Sequence, residues 1–174
     1  MGAAAGRAVL NLFGALVVVL MLAIALQVLA NLLDWNPLAR FAAPVPLFGE
    51  AVTLNSLLDL QWHLLAAIAL LPAGLVWLRG GHVRVDFLYN RRGPRGRAWT
   101  DILGNLLFAA PFLWMSVPAA CDFARRAWAS GEGSASGGLQ DLWLVKATLP
   151  LGLALLGLAI LWETARLLRE RLGR

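Results

Sequence analysis

The sequence has little charge and almost no cysteine. Of its 174 residues, 14% are Asp, Glu, Lys or Arg and 60% are hydrophobic, whereas soluble domains carry about 25% charged and 45–50% apolar residues. Cys121 is the only cysteine, so an intramolecular disulfide is excluded and the redox compartment cannot be inferred. The net charge of +5 comes from arginines that flank apolar runs, and not from a continuous basic face of the kind that binds nucleic acid. We therefore expect a membrane protein that contacts lipid and does not bind nucleic acid.

Long apolar runs cover most of the chain, at about residues 8–33, 57–78, 98–120 and 142–168. Each run meets the roughly 20 residues that a helix needs to cross a ~30 Å hydrocarbon core. None shows the alternation of barrel strands. The sequence thus predicts an all-α membrane protein, a single domain over residues 1–174 with four transmembrane helices. The first run exceeds the about 7–15 apolar residues of a signal peptide, so we expect it to be retained.

Local signals predict where these helices begin and bend. Ser56 followed by Asp59 has the pattern of a capping box that opens the second helix. Pro72 in the second run, and Pro111 and Pro118 in the third, predict kinks that neighbouring helices stabilise.

The arginines predict the orientation. One side of the membrane would receive Arg7, Arg79, Arg84, Arg91, Arg92, Arg95, Arg97, Arg166, Arg169, Arg171 and Arg174, and the other side only Arg40, Arg125 and Arg126. Because basic loops remain inside, both termini and the link between the second and third helices should be cytoplasmic. Two loops, at about residues 34–55 and 121–141, should then face outward. This link contains apolar residues beside its arginines, which predicts a short interfacial segment.

Polar groups in the apolar runs are the first candidates for chemistry, because their burial is costly. Gln27 is a single amide deep in the first run, and most of the others, including Asp59, His63, Asp101, Asn105 and Glu163, lie near a predicted helix end. We interpret them as caps, interfacial pairs and snorkelling groups. The alternative is that some of them pair across helices with a partner protein.

The histidines cannot hold a haem within one chain. His63 and His82 are 19 residues apart along one helix and its exit, which is about 28 Å of helical rise, whereas axial ligands must lie at matching depth on facing helices. The sequence has no metal-ligand spacing, no nucleophile and base pair, and no phosphate-binding loop. We therefore expect no cofactor, no metal site and no enzymatic activity.

Several short motifs resemble one family in their order and spacing. The motifs are Gln61-Trp62-His63-Leu64, Gly81-His82-Val83-Arg84-Val85-Asp86, Glu132-Gly133-Ser134, Gly137-Gly138-Leu139, Trp143, Lys146, Pro150-Leu151-Gly152 and Glu163 with Arg166. Nearly the whole chain is similar to the small, DctQ-like membrane subunit of tripartite ATP-independent periplasmic (TRAP) transporters. Gln140 departs from the family, in which many relatives have proline, and this loosens the turn before the fourth helix.

The resemblance implies a subunit without a transport site of its own. In this family a large membrane subunit moves substrate by a sodium-driven elevator, and a periplasmic substrate-binding protein delivers the substrate, typically an organic acid. The small subunit would brace the large one and help to dock the binding protein, in the cytoplasmic (inner) membrane of a bacterium. The candidate partner-interface or structural residues are Trp62, His63, His82, Val83, Arg84, Asp86, Gly137, Gly138, Leu139, Lys146 and Glu163.

Other classes of protein remain as alternatives. A self-contained small transporter made of several copies would need a membrane-central acid to couple protons, and the apolar runs have none. A membrane enzyme or electron-transfer subunit would need a ligand cluster. A structural four-helix membrane protein with an unrelated partner is the third alternative.

Overall fold

The computed structural model describes residues 3–82, 89 and 91–172, and these residues are mostly helical. In chain order, the described elements are α1 (Ala3–Leu32), β1 (Ala39–Val45), β2 (Gly49–Val52), α2 (Leu54–Leu70), α3 (Ala73–Leu78), α4 (Pro94–Gly104), a π-helical turn (Asn105–Ala109), α5 (Ala110–Ser130) and α6 (Trp143–Leu172).

Four helical segments are long and apolar enough to cross a membrane, as the sequence predicted. They are Gly6–Leu32, Leu54–Leu78, Pro94–Ser130 and Trp143–Glu170. Each contains one of the four predicted runs or most of it. The end of the bundle with β1, β2 and residues 131–142 is called the hairpin end. The end where α3 stops and α4 starts is called the link end.

Pro72 divides the second segment, which confirms the predicted kink. The segment runs as α2, a two-residue turn at Leu71 and Pro72, and α3, because proline has no N–H for the helical ladder. Gly74 on α3 and Gly152 on α6 allow α6 to approach this break closely. A Cβ on Gly74 would lie 2.5 Å from the carbonyl oxygen of Leu155, and a Cβ on Gly152 would lie 2.7 Å from that of Leu70. These two glycines thus set the distance between α6 and the second membrane segment.

The third segment is longer than predicted, and the predicted outer loop at residues 121–141 is wrong in its first half. The helix continues through Cys121 to Ser130 and ends at Gly131, whose φ of 58° is the left-handed cap that glycine favours. The apolar run at residues 98–120 marked the part that can lie in lipid, whereas the helix itself extends into a polar stretch. Pro111 follows the π-helical turn at the start of α5, and Pro118 lies inside α5.

The connection before α2 departs from an all-α fold. Residues 39–52 form an antiparallel hairpin in which Ala39 pairs with Val52 and Val45 pairs with Gly49. The predicted capping box at Ser56 and Asp59 is also wrong. Thr53 is the N-cap, and it forms the reciprocal box with Ser56 three residues later.

Helix α6 packs against α2, α3 and α5, and α1 packs against α2. Small side chains such as Ala23, Ala30, Ala120 and Ala127 are buried between the helices, while large apolar side chains such as Leu22 point outward. Without water to drive helices together, close packing of small residues is what holds such a bundle. The outward apolar surface is the part that lipid or a partner subunit must cover.

Candidate functional site

The loop at residues 131–142 is held against the start of α2. The Asp59 carboxylate Oδ2 accepts the backbone N–H of Leu139 at 2.9 Å. The Asn55 side-chain amide donates to the carbonyl of Ser136 at 2.6 Å, and the Thr53 hydroxyl donates to that of Gly137 at 3.1 Å. Three side chains from the N-cap and the first two turns of α2 therefore hold backbone groups at residues 136, 137 and 139 of the loop.

The two candidate glycines in this loop serve different purposes. Gly137 has a φ of 72°, in the region that other residues rarely adopt, but its missing Cβ would meet open space. Gly138 has no such dihedral requirement, but a Cβ there would overlap the Asp59 carboxylate and lie 2.9 Å from the carbonyl oxygen of Asn55. Leu139, the next candidate, is fully buried. The Gly137-Gly138-Leu139 motif is thus a packing element of the hairpin end.

The β-hairpin is joined to the same loop. The backbone N–H of Gln140 donates to the carbonyl of Leu47 at 2.7 Å, and the N–H of Leu47 donates to Asp141 Oδ2 at 3.3 Å. Leu47 and Asp141 both have positive φ, at 72° and 56°. The hairpin, the start of α2 and residues 131–142 therefore form one connected unit, here called the hairpin cluster.

Lys146 closes this cluster from α6. Its ammonium donates to both Glu132 carboxylate oxygens, at 2.7 and 2.5 Å, and lies 4.3 Å from the centroid of the Phe123 ring. The Lys146 side chain is 18% exposed and that of Glu132 is 41% exposed. Lys146 therefore links the start of α6 to the loop that follows α5.

The polar candidates on α2 point in different directions. Trp62 is exposed. The His63 ring nitrogen Nδ1 lies 2.7 Å from the carbonyl oxygen of Asp59, one turn back, so Nδ1 is the donor. Gln61, which the sequence analysis did not single out as a site residue, donates to Gln27 Oε1 at 2.5 Å. The amide in α1 is thus paired across two helices within this chain.

His82 lies at the link end and folds back onto α3. Its Nε2 donates to the carbonyl oxygen of Ala73 at 3.2 Å, and its ring centroid is 5.5 Å from that of Trp77. Three further candidates, Val83, Arg84 and Asp86, lie outside the described residues. Beyond them, the Tyr89 hydroxyl donates to Asp101 Oδ2 at 2.7 Å.

Glu163 faces a cavity of about 610 Å³ at the link end, together with Trp77, His82 and Asp101. Its carboxylate Oε2 is buried and has no hydrogen-bond partner within the described chain. Arg166, three residues further along α6, lies 3.8 Å from Glu170. Asn105, on the π-helical turn, is buried and donates to Thr164 Oγ1 at 2.8 Å. Asn105 therefore pairs across helices within this chain, and the Glu163 carboxylate faces the cavity.

Over residues 3–82, 89 and 91–172, no three His, Cys, Asp or Glu side chains come close enough to hold a metal ion together. The candidates instead divide between two ends of the bundle. Gly137, Gly138, Leu139 and Lys146 meet in the hairpin cluster, while His82 and Glu163 line the cavity at the link end. Asn55 and Thr53 were missed as loop anchors because their partners are backbone groups over 80 residues away.

Comparison with known proteins identifies the family. A search of curated proteins finds no match. The family model for the tripartite ATP-independent periplasmic transporters, DctQ component, matches residues 46–170, which is more than two thirds of the 174 residues. The match begins after β1, at the turn of the hairpin, and ends two residues before the end of α6. It includes the cavity at the link end and all of the hairpin cluster except β1. The chain therefore belongs to the DctQ family, the small permease subunits of TRAP transporters.

Proposed function

We propose that this small permease subunit braces the large membrane subunit of a sodium-coupled TRAP transporter and helps to dock the periplasmic substrate-binding protein during organic acid uptake. It does so in the bacterial inner membrane with both termini in the cytoplasm. Family membership supports the kind of partner. The observation that carries the docking role is the hairpin cluster, because a connected loop surface is what a soluble partner can recognise.

The bracing role is supported by the surface of α5. Trp114 is 83% exposed and Met115 is 73% exposed. Aromatic side chains and methionine are enriched at protein interfaces and supply large contact areas. A large membrane partner on this side would remove both side chains from lipid and hold α5 in place.

The docking role is supported by apolar side chains on the hairpin. Phe41 and Val45 are exposed on β1, and the turn that follows this strand is hydrogen-bonded through Leu47 to residues 140 and 141. A binding partner therefore meets a surface that is already ordered, which lowers the entropic cost of association. In this proposal the large subunit couples transport to sodium and the binding protein selects the substrate. This chain holds the large subunit in place and supplies a contact surface for the binding protein.

Bracing is tested by co-purification with the large subunit. Trp114→Ala and Met115→Ala together should lower the yield of the complex, whereas Leu22→Ala and Leu29→Ala, which shorten exposed side chains on α1, should leave it unchanged. A large subunit that is stable and fully active without this chain would contradict the bracing role.

Docking is tested by uptake in reconstituted vesicles. Phe41→Asp should reduce uptake at limiting concentrations of binding protein while the yield of the membrane complex is unchanged. Trp99→Asp replaces an exposed aromatic side chain at the link end and serves as the control. Equal uptake by wild type and Phe41→Asp would count against docking at the hairpin cluster.

Orientation is tested by labelling in intact cells. In a Cys121→Ser background, Ser136→Cys in the hairpin cluster should react with a membrane-impermeant maleimide, and Arg95→Cys at the link end should react only after the cells are opened. The reverse pattern would overturn the cytoplasmic assignment of both termini.

A further inference from the structure

The cavity at the link end follows one face of the third membrane segment. Its lining residues on that segment recur every turn, at Thr100 and Asp101, Gly104 and Asn105, Phe108 and Ala109, and Phe112. From position 100 to position 112 the helical rise is about 18 Å. The lining is polar at the link end and becomes apolar and aromatic toward the middle of the segment. The cavity is therefore an elongated groove with the polarity gradient of one membrane leaflet.

The opposite wall supplies two polar atoms without partners. Glu163 Oε2 is a buried acceptor and Trp77 Nε1 is a buried donor, and neither has a hydrogen-bond partner among the described residues. Both side chains line the groove. A buried polar group without a partner is destabilising, so one acceptor and one donor in the same groove favour a ligand that carries both a cationic donor and an anionic acceptor.

We infer that this groove binds a phospholipid with a zwitterionic, primary-ammonium head group, that is, a phosphatidylethanolamine. The ammonium donates to the Glu163 carboxylate, and the phosphate accepts the Trp77 indole N–H. One acyl chain follows the apolar end of the groove along Phe108 and Phe112. The volume of about 610 Å³ lies within the roughly 300–1,000 Å³ of small-ligand sites. A head group without a cation, such as phosphatidylglycerol, leaves the carboxylate unmatched.

This inference does not rest on the bracing or docking roles, since it concerns only groups within this chain. The test is native mass spectrometry of the full chain purified with its large subunit, stripped of lipid and titrated with phosphatidylethanolamine or phosphatidylglycerol. Wild type should prefer phosphatidylethanolamine. Glu163→Gln and Trp77→Phe should each weaken that lipid about tenfold, as expected for the loss of a hydrogen bond to a charged group. Phosphatidylglycerol has the phosphate but no ammonium, so Glu163→Gln should leave its binding unchanged.

Two matched controls separate the groove from the general surface. Glu170→Gln changes an exposed acid on the same helix, and Trp162→Phe changes an exposed indole beside Glu163; both should bind lipid as wild type does. Equal affinity of wild type for the two lipids overturns the inference, and so does a Glu163→Gln variant that matches Glu170→Gln. If Glu163→Gln releases the large subunit while phosphatidylethanolamine is retained, the groove receives a protein side chain and the lipid assignment is wrong.

A second measurement uses the wild-type protein and therefore does not depend on the folding of variants. A phosphatidylethanolamine with a photoreactive acyl chain should form adducts concentrated at Phe108 and Phe112. Excess unlabelled phosphatidylethanolamine should remove these adducts, and excess phosphatidylglycerol should not. Adducts spread evenly over the exposed side chains of α1 and α5 contradict a specific groove.

Discussion

Asp59 accepts the backbone N–H of Leu139 at 2.9 Å and so joins positions that are 80 residues apart. Leu139 is fully buried, so its N–H has no access to water if this acceptor is lost. The carboxylate was expected to cap its own helix or to pair at the interface, but it instead holds the loop that leads into α6. This contact is one of several that connect residues 131–142 to the membrane helices.

Removal of the Asp59 acceptor should destabilise the hairpin cluster. Asp59→Ala leaves the Leu139 N–H buried and unpaired, which costs about 1–3 kcal/mol, whereas Asp59→Asn retains an acceptor oxygen and should cost less. Asp122→Ala removes an exposed carboxylate on α5 and should stay within about 0.5 kcal/mol of wild type. Unfolding in detergent measures the stability of the three variants. Equal stability of Asp59→Ala and Asp59→Asn would contradict the expected order.

Alanine at three glycines should give three different results. Gly138→Ala should be the most destabilising, because its Cβ overlaps the Asp59 carboxylate and approaches the backbone of Asn55. Gly137→Ala carries only a backbone strain of about 1–2 kcal/mol at its φ of 72°. Gly14→Ala, in α1 with open space around it, should stabilise the helix by up to about 1 kcal/mol. Thermal unfolding of the three variants checks this ranking of stability. A Gly137→Ala variant less stable than Gly138→Ala would show that dihedral strain at residue 137 outweighs the steric overlap at residue 138.

The sequence predicted what depends on local composition. Length and hydropathy located the four membrane segments, and Pro72 located the break between α2 and α3 because the missing N–H is a property of proline itself. The end of α5 was predicted wrongly because hydropathy shows which residues can lie in lipid and does not show where a helix ends. Gly131 would have been the better indicator, since glycine commonly ends a helix in the left-handed conformation.

Long-range polar pairing could not be predicted from spacing. Gln27 was recognised as an unusual amide, but its partner Gln61 lies 34 residues away on another helix. Glu163 was interpreted as a cap, a member of an interfacial pair or a snorkelling group, yet it faces the groove. Arg166, three residues later, lies beside Glu170. The partner of a polar side chain depends on how the helices pack against one another. For a residue with several neighbouring helices, sequence spacing alone does not identify that partner.

The Gln27–Gln61 hydrogen bond should contribute a measurable coupling between α1 and α2. Interhelical hydrogen bonds in membranes average about 0.6 kcal/mol and reach about 1.7 kcal/mol. A double-mutant cycle with Gln27→Leu, Gln61→Leu and the double variant should give a coupling in this range. The measurement is unfolding in mixed micelles, and strictly additive single effects would show that the two amides do not interact.

Gly152 should be intolerant of any side chain, because α6 meets the break between α2 and α3 there. A Cβ at this position would lie 2.7 Å from the carbonyl oxygen of Leu70, and backbone cannot move aside as a flexible side chain can. Gly152→Ala should therefore separate the helices and lower stability by about 1–3 kcal/mol. Gly104→Ala, whose Cβ meets nothing within 4 Å, is the matched control. If both variants unfold alike, the close approach at Gly152 is not required.

The Lys146–Glu132 ion pair should contribute more than the exposed pair on α5. Lys146 is only 18% exposed and also lies over the Phe123 ring, while the Arg125 and Asp122 side chains are 79% and 54% exposed. Exposed pairs contribute about 0–1 kcal/mol and weaken with salt. Lys146→Met should therefore lower stability more than Arg125→Met, and its effect should change less between low and high salt.

Hydrogen exchange at the amides of residues 131–142 measures the effect of Lys146→Met, and the charge swap Lys146→Glu with Glu132→Lys should restore part of the protection. Equal protection in Lys146→Met and Arg125→Met would show that the pair does not anchor the loop to α6.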